Sequence, residues 1–284
     1  MKLDVCGHAA YAYTGGKAYD AALPTVVLVH GALNDHSVWT LLARWLAHHG
    51  WGVLAVDLPG HGRSAGPPLA SVEALADWLL ALLDAAGARQ AALAGHSMGS
   101  LIALEAAGRA PERVSHLALL GTACPMKVSA ALLATARDEP LRAIDQVTAW
   151  SHSTLAAKPS FPGPGVWLHG AARALGRRML VRQRGLNLFH HDFSLCDAYA
   201  GGLAAAARVA CPATLILGER DQMTPPKAAR ELAQALRARV LTVPAGHSLM
   251  AEAPDAVLAA LRSALAPAAV PTPAPAAATA APPA

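Results

Sequence analysis

Apolar residues are distributed along the chain in two patterns, short continuous runs and longer segments with helical spacing. Six runs rich in Val, Leu, Ile and Ala end at a glycine or a polar residue: Thr25–Gly31, Gly52–Gly60, Gln90–Ser97, Val114–Gly121, Ala213–Asp221 and Arg239–His247. Continuous apolar runs of this length are typical of strands that are covered on both faces, as in a parallel sheet. The pattern therefore predicts six strands.

Segments with helical periodicity separate these runs. Between Val38 and Leu46 the apolar positions recur with helical spacing, and Asp35 or Ser37 can serve as the N-cap. Another helix is predicted to follow Ser97 directly. Three more helices are predicted with these bounds: Ser71 to Gly87, Thr224 to Ala238, and Ala253 to Leu265. The alternation of strands with helices predicts an α/β fold with a doubly wound, mostly parallel sheet.

The alternation is interrupted after the fourth strand run. Residues 123–208 carry helical patterns and a Pro/Gly-rich stretch, Lys158–Gly165, but no convincing strand run. We therefore expect an α/β core built from residues 1–122 and 209–266, with residues 123–208 inserted as a helical cap, or lid. Residues 267–284 are an Ala/Pro-rich segment of low complexity. We expect them to form a disordered tail, because they offer too little apolar surface to bury.

The composition narrows the classes of function. Hydrophobic residues make up 54% of the 284 residues and charged residues 15%, which suits a protein with a large buried core. The net charge of +4 is not concentrated in a basic block interleaved with aromatic residues, so we expect no nucleic-acid partner. The four cysteines form no C-x-x-C pair, the N-terminus lacks the apolar segment of a signal peptide, and no apolar stretch is long enough to span a membrane. These features predict a cytoplasmic protein.

One short motif points to chemistry. The stretch "GHSMG", Gly95–Gly99, matches the pattern G-x-S-x-G, which average glycine content produces by chance in roughly one chain of this length in ten. Its context is more specific, because Ser97 ends a predicted strand and begins a predicted helix. Glycines on either side would leave room for the sharp bend. A serine on that bend would be exposed at the carboxyl edge of the sheet. A tight turn with Ser97 as a helix N-cap is the alternative.

A nucleophilic serine needs a base to accept its proton and a third group to orient that base. Asp221 and His247 each follow a predicted strand, so we expect both at the same edge of the sheet as Ser97. The chain order Ser, Asp, His is the order that this architecture uses. We therefore predict a catalytic triad of Ser97, His247 and Asp221. The alternatives are a helix-capping role for Asp221 and an ordinary loop position for His247.

Acyl transfer also requires two N–H donors for the developing oxyanion. We predict the backbone N–H of Met98, which follows the nucleophile, and that of Ala32, in the loop after the first long strand run; Leu33 is the second choice in that loop. We expect no cofactor and no metal. The stretch "FHHDF", Phe189–Phe193, contains two adjacent histidines, which cannot both reach one ion from a regular element.

The sequence resembles the α/β-hydrolase fold superfamily, and within it the serine esterases and lipase-like enzymes that carry a helical lid. Ser97 stands where the related dehalogenases and epoxide hydrolases carry aspartate, and Ser248 follows His247 where the ring-cleavage C–C hydrolases usually carry tryptophan. The segments that carry the resemblance appear in family order between about residues 24 and 266: His30-Gly31 with Trp39, "DLPGHGRS" (Asp57–Ser64), "GHSMGS", "GERD" and "AGH".

The resemblance implies an enzyme that hydrolyses a small to medium carboxylic ester through an acyl-enzyme on Ser97. It implies in addition that the Asp57–Ser64 segment packs and hydrogen-bonds within the core. A lactonase, an amidase and a perhydrolase share the same machinery and stay open, as does a small-ligand-binding protein that keeps the pocket without turnover. The sequence does not indicate an oligomeric state.

Substrate contacts are expected mainly from the cap. All three phenylalanines lie within residues 123–208, where they could line an apolar pocket or simply pack the cap helices onto the core. The predicted substrate-binding residues are Leu33, His96, Trp167 and Phe189. Glu105 is expected to be solvated. Residues 124–208 also carry ten Lys/Arg against five Asp/Glu. One basic cluster could attract an anionic substrate or form a solvated helix face: Arg173, Arg177, Arg178, Arg182 and Arg184.

Overall fold

All six predicted strands are present in a computed structural model of the protein, which describes residues 1–154, 167–182 and 185–266. They belong to one sheet of eight strands with the spatial order β1-β2-β4-β3-β5-β6-β7-β8. Strands β3 to β8 are parallel, whereas β1 and β2 pair antiparallel with each other and β2 with β4. The strands in chain order are β1 (Lys2–Val5), β2 (His8–Tyr13), β3 (Thr25–Val29), β4 (Gly52–Val56), β5 (Ala91–His96), β6 (Val114–Leu120), β7 (Ala213–Gly218) and β8 (Arg239–Val243). The predicted α/β class is confirmed.

The N-terminal hairpin, β1 and β2, was not among the predicted strands. Its turn is formed by Cys6 and Gly7, both with positive φ. In β2, Ala10 and Ala12 are buried while Tyr11 and Tyr13 are half-buried. This is the period-two alternation of a strand with one buried face, but the buried positions are alanines, which give a weak hydrophobic signal.

The predicted helices of the core are present with shifted ends. Asp35 caps a 3-10 helix, His36–Trp39, that precedes the first of them, since its carboxylate accepts the Ser37 N–H at 2.9 Å, and Ser71 caps the second by accepting the Ala74 N–H at 3.1 Å. The helices in chain order are α1 (Thr40–Ala47), α2 (Val72–Ala85), α3 (Met98–Arg109), α4 (Ala130–Asp138), α5 (Pro140–Ser151), α6 (Leu168–Arg182), α7 (Leu188–Ala198), α8 (Gly202–Ala206), α9 (Arg230–Ala235), α10 (Leu249–Glu252) and α11 (Pro254–Leu265).

The prediction that Thr224 caps a helix running to Ala238 is wrong. A 3-10 helix, Pro226–Ala229, precedes α9, and α9 itself ends at Ala235. The Thr224 hydroxyl instead donates to the Asp221 carboxylate at 2.8 Å.

Two apolar layers cover the sheet, one on each face. Val27 and Val29 of β3 face the layer that contains α2 and α3, whereas Val26 and Leu28 face the layer that contains α1 and α11. This alternation follows from the period of two along a strand. Because both faces are covered, β3, β4 and β5 are buried at every position. The carboxyl ends of β3 to β8 meet at one edge, and that edge carries the site described below.

A third apolar cluster lies above that edge, and all but one of its buried members belong to residues 123–208. It joins side chains of α4 to α7 with Leu33 of the β3–α1 loop, and its buried members include Leu132, Ile144, Phe189 and Phe193. Helix α8 contributes to the core layer instead. We propose that residues 123–208 form the cap, flanked by core segments 1–122 and 209–266. The Lys158–Gly165 stretch lies outside the described residues, as does the expected tail of residues 267–284.

A helix that crosses a bilayer must be both long and apolar. None of the helices in the described ranges meets both requirements for crossing a membrane.

Candidate active site

Ser97 lies on a strained bend between β5 and α3. Its φ is +53°, in the region that favours glycine, and its N–H donates to the Leu120 carbonyl at 2.9 Å. The flanking glycines are required sterically. A Cβ on Gly95 would lie 2.1 Å from the Gly99 carbonyl oxygen, and one on Gly99 would lie 2.4 Å from the Val29 carbonyl oxygen. The backbone therefore crosses here too closely for any side chain, and the bend exposes the Ser97 hydroxyl at the sheet edge.

A chain of hydrogen bonds links Ser97, His247 and Asp221. The Ser97 Oγ lies 3.0 Å from His247 Nε2, and His247 Nδ1 lies 2.8 Å from Asp221 Oδ2. The three side chains come from the loops after β5, β8 and β7. Since a carboxylate oxygen accepts, Nδ1 carries the proton and Nε2 presents its lone pair to the serine. The arrangement is that of a nucleophile, a base and a group that orients the base.

Asp221 is buried and held as a carboxylate. Its Oδ1 accepts the Met223 and Thr224 N–H groups, each at 2.8 Å, and its Oδ2 accepts the Thr224 hydroxyl and His247. Burial alone would raise the pKa of Asp221, but His247 and these hydrogen bonds outweigh it and lower the pKa below its usual value. Asp221 therefore stabilises its own turn and orients His247 at the same time.

The backbone N–H groups of Ala32 and Met98 have no assigned acceptor within the described residues. Met98 is the first residue of α3, so its N–H has no partner inside the helix. The Ala32 loop runs directly beside the nucleophile, because a Cβ on Gly31 would lie 3.0 Å from Ser97 Cβ. Leu33, the second choice for the oxyanion donor, is excluded by geometry: its N–H donates to Asp192 Oδ2 at 2.8 Å.

His96 lies between Ser97 and the His247 loop. Its Nε2–H donates to the His247 carbonyl at 2.9 Å, and the two rings lie 4.9 Å apart. Burial, reinforced by the nearby His247, lowers the pKa of His96 to about 3. The ring is therefore neutral at ordinary pH and adds no competing charge beside His247.

A cavity of about 290 Å³ opens onto Ser97, with the cap above it. Three of the four predicted substrate-binding residues line it: Leu33, His96 and Phe189. The prediction for Trp167 is wrong. Its side chain is 58% exposed, and its ring lies under the Arg173 guanidinium at 5.4 Å instead of facing the cavity.

A second cavity, of about 420 Å³, adjoins the first. Four residues line both: Asn34, His96, Ala172 and Ser248. Arg178 lies at its rim and forms an ion pair with Asp35 at 2.8 Å. The site therefore has two compartments that meet beside Ser97, which suits a substrate with groups on both sides of a reacting carbonyl.

One buried pair at the site was not predicted. Asp192 of α7 is 1% exposed, and its Oδ2 lies 2.9 Å from His61 Nε2. No local pattern in the sequence pairs these two residues, because His61 and Asp192 are 131 residues apart along the chain. Within the Asp57–Ser64 segment, Asp57 accepts the His36 and Arg63 N–H groups, as the family resemblance implied for a packing role.

The surroundings of Glu105 differ from the sequence prediction. Glu105 is buried, not solvated as expected, because it accepts the Tyr199 hydroxyl at 2.6 Å and pairs with Arg109 at 2.8 Å.

The basic cluster of the cap is partly neutralised by acidic partners. Arg173 pairs with Asp145 and Arg178 pairs with Asp35, while Arg177 is exposed. The side chains of Arg182 and Arg184 lie outside the described part of the chain.

Among the described residues, one trio has donor atoms close enough together to hold a metal ion: Asp35, His36 and Asp57. These donors already have protein partners. Asp35 accepts from Ser37 and Arg178, and Asp57 from His36 and the Arg63 N–H. Arg178 already neutralises the Asp35 carboxylate, so the trio is a poor metal site.

Comparisons with known proteins identify the family and the fold. A family model described as "alpha/beta hydrolase fold" matches residues 24–254. The chain is 34% identical over 239 residues to a pimeloyl-[acyl-carrier protein] methyl ester esterase of Chromobacterium violaceum, covering 77% of this chain and 84% of that protein. It is 30% identical over 219 residues to a putative carbamate hydrolase of Klebsiella pneumoniae, covering 75% and 79%.

Solved structures with similar folds include hydrolases of several kinds. The enol-lactonase of Burkholderia xenovorans has a TM-score of 0.74 at 24% identity, with 93% of this chain and 99% of that chain covered. A thermophilic esterase has a TM-score of 0.73 at 23% identity, with 93% and 95% covered. At this level of identity the likeness concerns the fold.

Proposed function

The chain belongs to the α/β hydrolase family, and from this premise we propose that it is a serine hydrolase that cleaves a small to medium carboxylic ester. The observation that carries the proposal is the continuous chain of hydrogen bonds from Ser97 Oγ through His247 to Asp221, on a serine with positive φ. A serine used only as a turn residue needs neither the strain nor the buried histidine.

The proposed reaction has two halves. The Ser97 Oγ attacks the ester carbonyl carbon while His247 Nε2 accepts its proton, and Asp221 stabilises the resulting imidazolium. His247 then returns the proton to the leaving alcohol as the C–O bond breaks, which gives the acyl-enzyme. Water repeats the sequence: His247 takes its proton, the hydroxide adds to the acyl carbon, and Ser97 leaves with the proton restored.

The oxyanion formed in each half needs donors that are already in place. We propose the N–H groups of Ala32 and Met98, which have no assigned acceptor within the described residues and flank the nucleophile. Met98 lies at the N-terminus of α3, where the helix dipole adds a favourable potential for an anion.

The substrate size follows from the cavity that opens onto Ser97. A volume of about 290 Å³, lined by Leu33 and Phe189 among others, is suited to an acyl chain of a few carbons and not to a long lipid chain. The relative from Chromobacterium violaceum is named for a methyl ester, which agrees with a small alcohol part for this substrate too. A lactone, an amide, a carbamate or a peracid would use the same residues, and the resemblance in fold does not choose among them.

Covalent labelling tests the nucleophile directly. A fluorophosphonate should modify wild-type protein stoichiometrically at Ser97, and Ser97→Ala and His247→Ala should abolish the adduct. Ser263→Ala is the control, because Ser263 lies on α11 and its exposed hydroxyl contacts Arg239. An adduct mapped to a different serine would refute the assignment. Hydrolysis of p-nitrophenyl esters, compared with lactone, amide and peracid substrates, then identifies the bond.

A further inference from the structure

A buried carboxylate of the cap contacts the loop that carries the proposed oxyanion donor. Asp192 lies on α7, and its Oδ2 accepts the Leu33 N–H at 2.8 Å. Leu33 follows Ala32 directly, so the two amides belong to neighbouring peptide groups. The contact spans 159 residues of sequence and joins the cap to the wall of the site.

Leu33 holds a backbone conformation that it would rarely adopt alone. Its φ is +55°, in the left-handed region that is unfavourable for a branched side chain. An N–H in such a turn keeps its direction only when something outside the loop binds it. Asp192 provides that bond, and Leu33 is itself buried in the apolar cluster of the cap.

The carboxylate has its own counterion. His61 Nδ1 lies 3.0 Å from the Pro59 carbonyl, which can only accept, and Nε2 lies 2.9 Å from Asp192 Oδ2. Both ring nitrogens therefore donate when Asp192 is ionised, and His61 is an imidazolium. Burial alone would lower the pKa of His61, but Asp192 more than offsets it and the pKa is raised. The pair is neutral overall, which matters because an unpaired anion here would oppose a second negative charge at the oxyanion.

We propose that Asp192 is a positioning residue for catalysis: through the Leu33 N–H it fixes the loop of Ala32, and His61 neutralises its charge. The oxyanion hole is then aligned only while the cap is docked on the core. This inference rests on the proposed function and names a residue that acts on the transition state through another residue. It predicts a loss in kcat with little change in KM, since the hole binds the oxyanion and not the ground-state ester.

The test compares two aspartates of the same helix. Asp192→Ala and the isosteric Asp192→Asn are measured against Asp197→Asn, because Asp197 also accepts a backbone N–H, at 3.0 Å, but from Val128 and not from the loop of Ala32 and Leu33. The readouts are kcat and KM on a short p-nitrophenyl ester, and inhibition by an aryl trifluoromethyl ketone. Ser97 adds to that ketone's carbonyl, His247 takes the serine proton, and the carbonyl oxygen becomes an oxyanion.

We expect Asp192→Ala to lower kcat by about 10- to 100-fold, less than the loss of a donor itself, and to weaken ketone inhibition by the same factor. Asp192→Asn keeps an acceptor for Leu33 and should lose less, and Asp197→Asn should stay within about two-fold of wild type. Hydrogen exchange at the Leu33 amide should accelerate in Asp192→Ala and not in Asp197→Asn, whatever the substrate is.

Two results would overturn the inference. Equal kinetics for Asp192→Ala and Asp197→Asn would show that the contact is structural only, and so would a rise in KM with kcat unchanged. Unchanged exchange at Leu33 would show that Asp192 does not hold the loop, even if the protein proved inactive on esters. Absence of hydrolysis and of fluorophosphonate labelling in wild-type protein would instead contradict the proposed function, while the exchange measurement would still test the loop.

Discussion

The core and the cap are positioned by different kinds of interaction. Ser97, Asp221 and His247 each follow a strand of one sheet, so the ladder of that sheet sets where they lie. The cap, residues 123–208, reaches the site through side chains that meet residues far away in sequence. Asp192 contacts Leu33, and Arg178 contacts Asp35. In the reaction that we propose, the core carries the bond-breaking groups, whereas the cap adjusts the pocket and the loop of Ala32.

A second link between the two regions reaches the loop of His247. Glu252 accepts the Gly246 N–H at 2.8 Å and the Ser153 N–H at 2.9 Å, so one carboxylate joins α10, the residue before His247 and the cap. A Cβ on Gly246 would lie 2.8 Å from the Ser151 carbonyl oxygen. The cap therefore touches the site on two sides, at the oxyanion loop and behind the base.

The largest effect is expected in the core, from Asp221→Asn. The amide would hold His247 in the wrong tautomer, and kcat should fall by about 10⁴, the scale of the analogous change in a serine protease. Melting temperature should change little by comparison. Asp84→Asn, on the exposed end of α2, is the control and should keep full activity. A near-normal kcat for Asp221→Asn would mean that another carboxylate orients the base.

A glycine of the elbow should be next in effect. The Cβ of Gly99→Ala would lie 2.4 Å from the Val29 carbonyl oxygen, and neither backbone can move without breaking the sheet. We expect a loss of about 4 kcal/mol or more in stability, a range reserved for severe packing faults. Gly176→Ala is the control, because its Cβ would meet only side-chain carbons, of Leu33 and Ile144, at 3.3 Å and beyond. Denaturant unfolding measures both, and similar midpoints would contradict the steric argument.

The contrast between core and cap explains which parts of the site could be predicted from the sequence. Each residue of the proposed triad follows an apolar run, and local pattern alone brings such positions to one sheet edge. No comparable local pattern marks the residues that contact each other between cap and core. Asp192 stands in "FHHDF", and neither His61 nor Leu33 is near it in sequence. Glu105 was misplaced for the same reason, since the hydroxyl that it binds belongs to Tyr199, 94 residues away.

The cap aromatics give the next test, which separates lining residues from surface ones. Each acyl methylene that fits the cavity adds roughly 0.8 kcal/mol of favourable burial free energy. A chain that overfills the cavity disrupts its packing at a cost of about 1–3 kcal/mol. The value of kcat/KM on aryl esters should therefore peak near four to eight acyl carbons. Phe189→Leu should move the peak to longer chains, because Phe189 is buried and lines the cavity. Trp167→Ala, at a side chain that is 58% exposed, should leave the peak in place. A best substrate with a palmitoyl chain would contradict the covered pocket.

The buried ion pair should make cap stability depend on pH. The pKa of His61 is raised in the folded protein, so its contribution is full below about pH 6.5, the unfolded value, and is lost as pH rises through the folded pKa. The groups facing His61 are Asp192 of α7, Asp57 of its own segment and the His30 ring at 5.0 Å. His61→Asn should therefore lower the melting temperature most near pH 6, with a cost of about 1.5–3 kcal/mol, and the gap from wild type should narrow by pH 9. A gap that widens with pH would contradict a charged His61.

The smallest effect is expected at the exposed joint of cap and core. The Arg178 side chain is 56% exposed, whereas its partner Asp35 is 6% exposed and keeps the Ser37 N–H as a second donor. Solvent screens such a pair, so Arg178→Ala should cost no more than about 1 kcal/mol, and less at high salt. Melting curves at low and high ionic strength measure this beside Asp192→Asn, whose buried contacts salt should hardly affect. If Arg178→Ala proved as costly as Asp192→Asn, surface charge and not the buried carboxylate would hold the cap on the core.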